Sequence, residues 1–108
     1  MRELKFRAWV HSESRYEYSE NPPSFSFWKF IGYDERDLKT IEQYAGLKDK
    51  NGKEIYEGDI CTFYDGEIVE VLFEKGKFIL NGKEISLMWN PNFAEVIGNI
   101  HQNPELLK

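Results

Sequence analysis

The chain predicts a small all-β fold with minor helix: an antiparallel SH3-like or partly open barrel, or a folded sheet. Three observations point there. Residues 3–9 and 67–74 alternate in polarity with the period of two that half-buried strands require. Gly-containing turn pairs at Asp65-Gly66, Lys75-Gly76 and Asn81-Gly82 separate β-rich runs at hairpin spacing. No segment sustains a helical period.

The elements follow in order. In residues 3–9, Leu4, Phe6 and Ala8 face one way, and Glu3, Lys5, Arg7 and Trp9 the other. Residues 11–24 are polar and end in Asn21-Pro22-Pro23, where no regular ladder continues. Residues 24–31, rich in aromatics, read as a strand with Phe25 and Phe27 opposing Trp28 and Phe30. Residues 34–41 read as a short helical turn capped by Asp34. A strand over 41–47 leads into Gly46 to Ile60, the most informative stretch of the chain. Asp49-Lys50-Asn51-Gly52 suits a type I turn closed by a left-handed Gly52, or a two-residue type I′ hairpin. Glu57-Gly58-Asp59 makes a second bend, with Gly58 free to take positive φ and the Asp59 carboxylate able to accept a nearby N–H. Beyond it, Val69, Val71 and Phe73 form one strand face, and Phe78, Leu80, Ile85, Leu87 and Trp89 continue the inward set. Asn90-Pro91-Asn92 breaks the chain before a last strand, residues 93–100. A helical turn follows Asn103-Pro104-Glu105, ending in Leu106 and Leu107.

Three blocks resemble the YopX family of small phage and prophage proteins, found largely in Gram-positive bacteria. They are Arg2-Glu3-Leu4-Lys5-Phe6-Arg7-Ala8-Trp9, the turn block Gly46 to Ile60, and Glu95-Val96-Ile97-Gly98-Asn99-Ile100-His101-Gln102-Asn103-Pro104-Glu105-Leu106-Leu107. Their order and spacing make the match specific. Val10 departs from the family's usual polar residue, and Ala45 from its usual Thr; residues 11–43 match nothing specific. The resemblance implies a mostly β fold, a phage origin and self-assembly. It carries over no activity and no catalytic residues.

Composition narrows the rest. One domain, residues 1–108, is expected from 108 residues. Seventeen aromatics (8 Phe, 6 Tyr, 3 Trp) exceed what so small a core needs, which points to an interface. Residues 1–45 carry 7 basic and 8 acidic groups (−1), and residues 46–108 carry 7 and 11 (−4). The acidic second half disfavours phosphate backbones. A single cysteine, Cys61, rules out an internal disulfide and a Cys-based zinc site, and reads as a buried small hydrophobe. The absence of a long apolar run argues for a protein of the bacterial cytoplasm without membrane contact.

Candidate chemistry is sparse. Glu54, Glu57 and Asp59 form the densest carboxylate group; turn capping explains them better than acid–base work or cation binding. Asp49-x-Asn51-Gly52 fails as a calcium loop, because the first-ligand and bidentate-glutamate positions fall on Leu47 and Gly58. His11 and His101 lack close-spaced partners, and no phosphate-binding glycine motif exists. Arg2, Lys5, Arg7 and Trp9 are the best partner or nucleic-acid contacts, since cations hold phosphates and aromatics stack on bases. Phe25, Phe27, Trp28 and Phe30 are the best subunit contacts. The expectation is therefore a non-enzymatic, self-associating module that meets a phage or host protein. No cofactor or metal is expected. A nucleic-acid-binding barrel is the alternative, and a hydrolase using Glu54, Glu57 or Asp59 a more distant third.

Overall fold

A computed structural model describes residues 3–32, 39–63, 66–74, 76–80, 83–84 and 94–107. Among the described residues the chain is all-β with one short α-helix, and it divides into two compact units, Met1–Tyr44 and Ala45–Lys108.

In the first unit, β1 (Phe6–Val10) pairs antiparallel with β2 (Arg15–Tyr18) on one side and with β3 (Lys39–Lys48) on the other. On the face of β1 that carries Arg7 and Trp9, the side chain of Glu42 from β3 pairs with Arg7, and that of Tyr16 from β2 packs against both residues. Arg7, Ala8, Trp9 and Val10 are all buried, where alternation alone predicts one open face. β2 lies inside the polar stretch expected to be a loop. It forms because the four residues after Val10 reverse the chain, with the Glu13 N–H donating to the Val10 carbonyl at 3.1 Å and Ser14 in the left-handed region.

The segment read as an aromatic strand is instead α1, Phe25–Gly32. Ser24 stands at its start: its carbonyl accepts the Trp28 N–H at 3.3 Å and its hydroxyl the Phe27 N–H at 3.4 Å. Helical geometry turns Phe27 inward, leaves Phe30 half-buried, and exposes Phe25 and Trp28, three residues apart on one side. The turn expected at 34–41 lies outside the described residues up to 38; residues 39–41 belong to β3.

β3 runs on into the second unit, where β4 (Glu54–Tyr56) is its neighbour in the strand order β2-β1-β3-β4. The second sheet has the order β8-β7-β6-β5-β9, built from β5 (Asp59–Phe63), β6 (Ile68–Glu74), β7 (Lys77–Leu80), β8 (Lys83–Glu84) and β9 (Ala94–Asn99). β5 to β8 form the expected antiparallel meander, and β9 returns to pair with β5. Ala45, Ile55, Cys61, Val69, Val71, Phe78 and Leu80 make the core of this unit. Phe73, expected inward, is half-exposed against Phe78, with ring centroids 4.7 Å apart. Gly66 and Gly76, at two of the hairpins, have positive φ; Asp65, Lys75, Asn81-Gly82, Ile85, Leu87 and Trp89 lie outside the described residues. A 3-10 turn, Pro104–Leu107, closes the chain as expected.

Candidate functional site

The turn block is built around two buried carboxylates. Asp49 closes the first turn, where the Gly52 N–H donates to the Asp49 carbonyl at 3.0 Å and Gly52 takes φ 83°, the form with a left-handed closing glycine. The Asp49 Oδ1 accepts the N–H groups of Asn51 and Lys53, both at 2.9 Å. Its Oδ2 accepts the Val96 N–H from β9 at 3.0 Å. Burial by itself raises the Asp49 carboxyl, but the three N–H donors, from Val96, Lys53 and Asn51, and the nearby Lys53 charge outweigh it and hold the group below the usual range. The same turn meets β9 through the Lys50 N–H on the Ala94 carbonyl at 3.0 Å and the Asn51 amide on Glu95 at 3.4 Å.

Asp59, 2% exposed, takes the Tyr56 N–H on Oδ2 at 2.8 Å and so closes the second bend. Gly58 lies at the meeting of three strands: its N–H donates to Val71 at 2.8 Å, and its carbonyl accepts the Ile100 N–H at 2.9 Å. Its φ of 89° is one a branched side chain resists. Gly58→Val is predicted to cost about 1–3 kcal/mol through strain. A thermal melt matching the parent would place the constraint elsewhere.

Of the suspected carboxylate group, Asp59 is thus committed to backbone, and Glu54 and Glu57 are half-buried. Among the described residues, no group of three or more His, Cys, Asp or Glu is placed to hold a metal ion. Because capping needs an acceptor rather than a charge, Asp59→Asn is predicted to keep most of the stability and Asp59→Leu to lose about 1–3 kcal/mol. Equal melting of the two variants would refute the capping role.

Cys61 is fully buried. Burial first, then the negative charges of Asp59 and Asp49, push its thiol up to about 12. Since only the thiolate reacts, alkylation at pH 8 is expected to be negligible in the folded chain and rapid once denaturant is added. Rapid labelling without denaturant would show that the strand opens.

The N-terminal basic and aromatic face is closed rather than open. Arg7 pairs with Glu42, Nε to Oε1 at 2.8 Å, and its guanidinium lies 4.0 Å from the Tyr16 ring centroid. Trp9 packs edge-on against Tyr16 at 4.9 Å. Lys5 pairs with Glu3 at 2.8 Å and lies 4.7 Å from the Tyr44 ring centroid; Arg2 is outside the described residues. The histidines belong to different units. The His11 Nε2 lies 2.8 Å from the Thr40 hydroxyl, and the His101 N–H donates to the Asn99 side chain at 3.0 Å.

Among the proposed subunit contacts, Phe27 is buried, while Phe25 is 80% exposed and Trp28 44%. Tyr18, which sequence reading passed over, joins the exposed aromatics at 56%. Its only sequence signal was an aromatic within a polar stretch. Tyr18 and α1 also line a solvent-open cleft with Glu17, Glu20, Ser26, Phe27 and Phe30. Among the described residues, no helix is long and apolar enough to cross a membrane.

No curated protein matches the chain. A crystal structure of protein EF1440 from Enterococcus faecalis is similar in fold, with a TM-score of 0.66 at 30% identity over 97% of this chain and 98% of that one. The YopX protein family matches residues 5–108, which takes in the buried strand β1, both capped turns and β9 with its closing 3-10 turn. The chain therefore belongs to the YopX family.

Proposed function

We propose that this chain is a phage-encoded, non-catalytic binding and assembly module that self-associates through an aromatic surface on its first unit and there meets a phage or host protein. The observation that carries the reading is the exposure of Phe25, Trp28 and Tyr18 while neighbouring aromatics are buried. Large exposed aromatics cost solubility and recur at protein contacts, where each contributes wide apolar area with few rotamers to order. Asp49 and Asp59 of the turn block are engaged by backbone N–H groups, which supports a capping role for them. A nucleic-acid role has less support, because Arg7 is ion-paired and Trp9 is buried.

Light scattering at micromolar concentration tests the self-association. The parent is expected to run at a multiple of one chain's mass, and Phe25→Ser/Trp28→Ser to run as a single folded chain, with some stability lost where Trp28 packs on Phe6 and Phe27. A strictly monomeric parent, or an oligomer indifferent to the double substitution, would overturn the surface assigned here.

A further inference from the structure

The cleft between β2 and α1 has a volume of about 170 Å³. Sites that enclose a drug-sized molecule run from about 300 to 1,000 Å³. This one has room for the head of a single side chain. Its lining among the described residues is two carboxylates, Glu17 and Glu20, the rings of Tyr18, Phe27 and Phe30, and the Ser26 hydroxyl. Aromatic faces and carboxylates together favour a cation, since both present negative potential to it.

Two features sharpen that preference. Glu13, Glu17 and Glu20 against Arg15 and Lys39 sum to −1 along this edge, with the Arg15 guanidinium shared between Glu13 at 2.8 Å and Glu17 at 2.6 Å. The Glu20 carboxyl is held below its usual range by its own backbone N–H and by the Ser24 hydroxyl and N–H. The ring of Phe30 already attracts cations, with the Lys39 ammonium 4.9 Å and the Arg15 guanidinium 6.0 Å from its centroid.

We propose that this cleft receives the cationic head of a lysine or arginine side chain presented by a partner protein. The proposal rests on the reading of this surface as a protein contact. It adds a charge requirement to an aromatic one: Tyr18 lines the cleft, and Phe25 precedes Ser26 of its lining on α1.

The test is a chemical-shift titration of the full chain with short glycine peptides carrying a central lysine, arginine, norleucine or glutamate. It is run at low salt on the parent and on Phe25→Ser/Trp28→Ser, in which a cleft covered by a second copy would be opened. Saturable shifts at Tyr18, Ser26 and Phe27 are expected with lysine and arginine only. Glu20→Gln and the space-filling Ser26→Trp should each weaken them about fivefold or more while leaving the melt unchanged. Equal shifts with norleucine, no saturable shift in either background, or indifference to both substitutions would overturn the proposal. Failure of self-association shows separately in light scattering: a monomeric chain with a cation-selective cleft would refute only the assembly reading.

Discussion

Replacing Arg7 by alanine is expected to destabilise the fold by about 3–5 kcal/mol, the largest effect of any single substitution considered for this chain. Arg7 and Glu42 face each other across β1 and β3, are 3% and 2% exposed, and meet at 2.8 Å. Removing the guanidinium leaves a carboxylate buried opposite a small apolar side chain, and also strips a cation from the face of the Tyr16 ring. The cost comes from the orphaned charge more than from any net gain of the pair, because burying two ions already costs desolvation. Arg7→Met/Glu42→Leu should therefore recover most of the loss. Urea denaturation of the parent, the alanine variant and the apolar double variant measures all three. If Arg7→Ala unfolds with the parent, water reaches Glu42 and the pair is not buried as described.

The second large effect is expected at Asp49. Asp49→Leu removes the acceptor of three backbone N–H groups at once and should cost about 2–4 kcal/mol, since each buried unsatisfied donor carries a penalty of about 1–3 kcal/mol and part of the turn can relax toward solvent. Asp49→Asn keeps only one carbonyl acceptor and should fall between leucine and the parent. The pH dependence has a definite sign. The folded-state carboxyl lies below its unfolded value, so its contribution is full above the unfolded pKa, near 4, and is lost as pH falls through the folded pKa. The parent should thus lose stability on acidification below about pH 5, and Asp49→Asn should lose less over the same interval. Parallel pH profiles for the two would show that Asp49 titrates as it does in the unfolded chain.

Local rules read the turns and much of the second sheet correctly. Asp49-x-Asn51-Gly52 and Gly58-Asp59 set their own backbone conformations within a few residues, so the turn forms and the capping roles were legible. The alternation of Val69 with Val71, and the burial of Phe78, Leu80 and Cys61, followed from period and polarity alone. The aromatic segment went the other way. Its β propensity is real, but Ser24 after Pro22-Pro23 supplies a helix start, and Phe27 with Phe30 supplies a helical spacing that an eight-residue window hides behind alternation. β2 was missed for a related reason: an edge strand of polar residues needs only one partner, and that partner is β1.

The sequence by itself thus determined the all-β class, the family, the two capped turns and the buried thiol, because each depends on conformations and polarities of residues close in the chain. Tertiary structure alone decided which charged and aromatic groups are available to a partner. Arg7 and Trp9 sit on an amphipathic pattern that promises an open face. β3, paired through Glu42 opposite Arg7, and Tyr16 from β2 close it. Asp49 was identifiable as a turn cap, but its third bond reaches Val96, 47 residues away, and only the pairing of β9 with β5 brings that N–H within range. The exposed pair Phe25 and Trp28 likewise depends on helical winding, which separates them from the buried Phe27 by turning each residue about 100° from the last. Long-range pairing sets these outcomes because burial is a property of everything packed around a side chain, and a local pattern specifies only its direction.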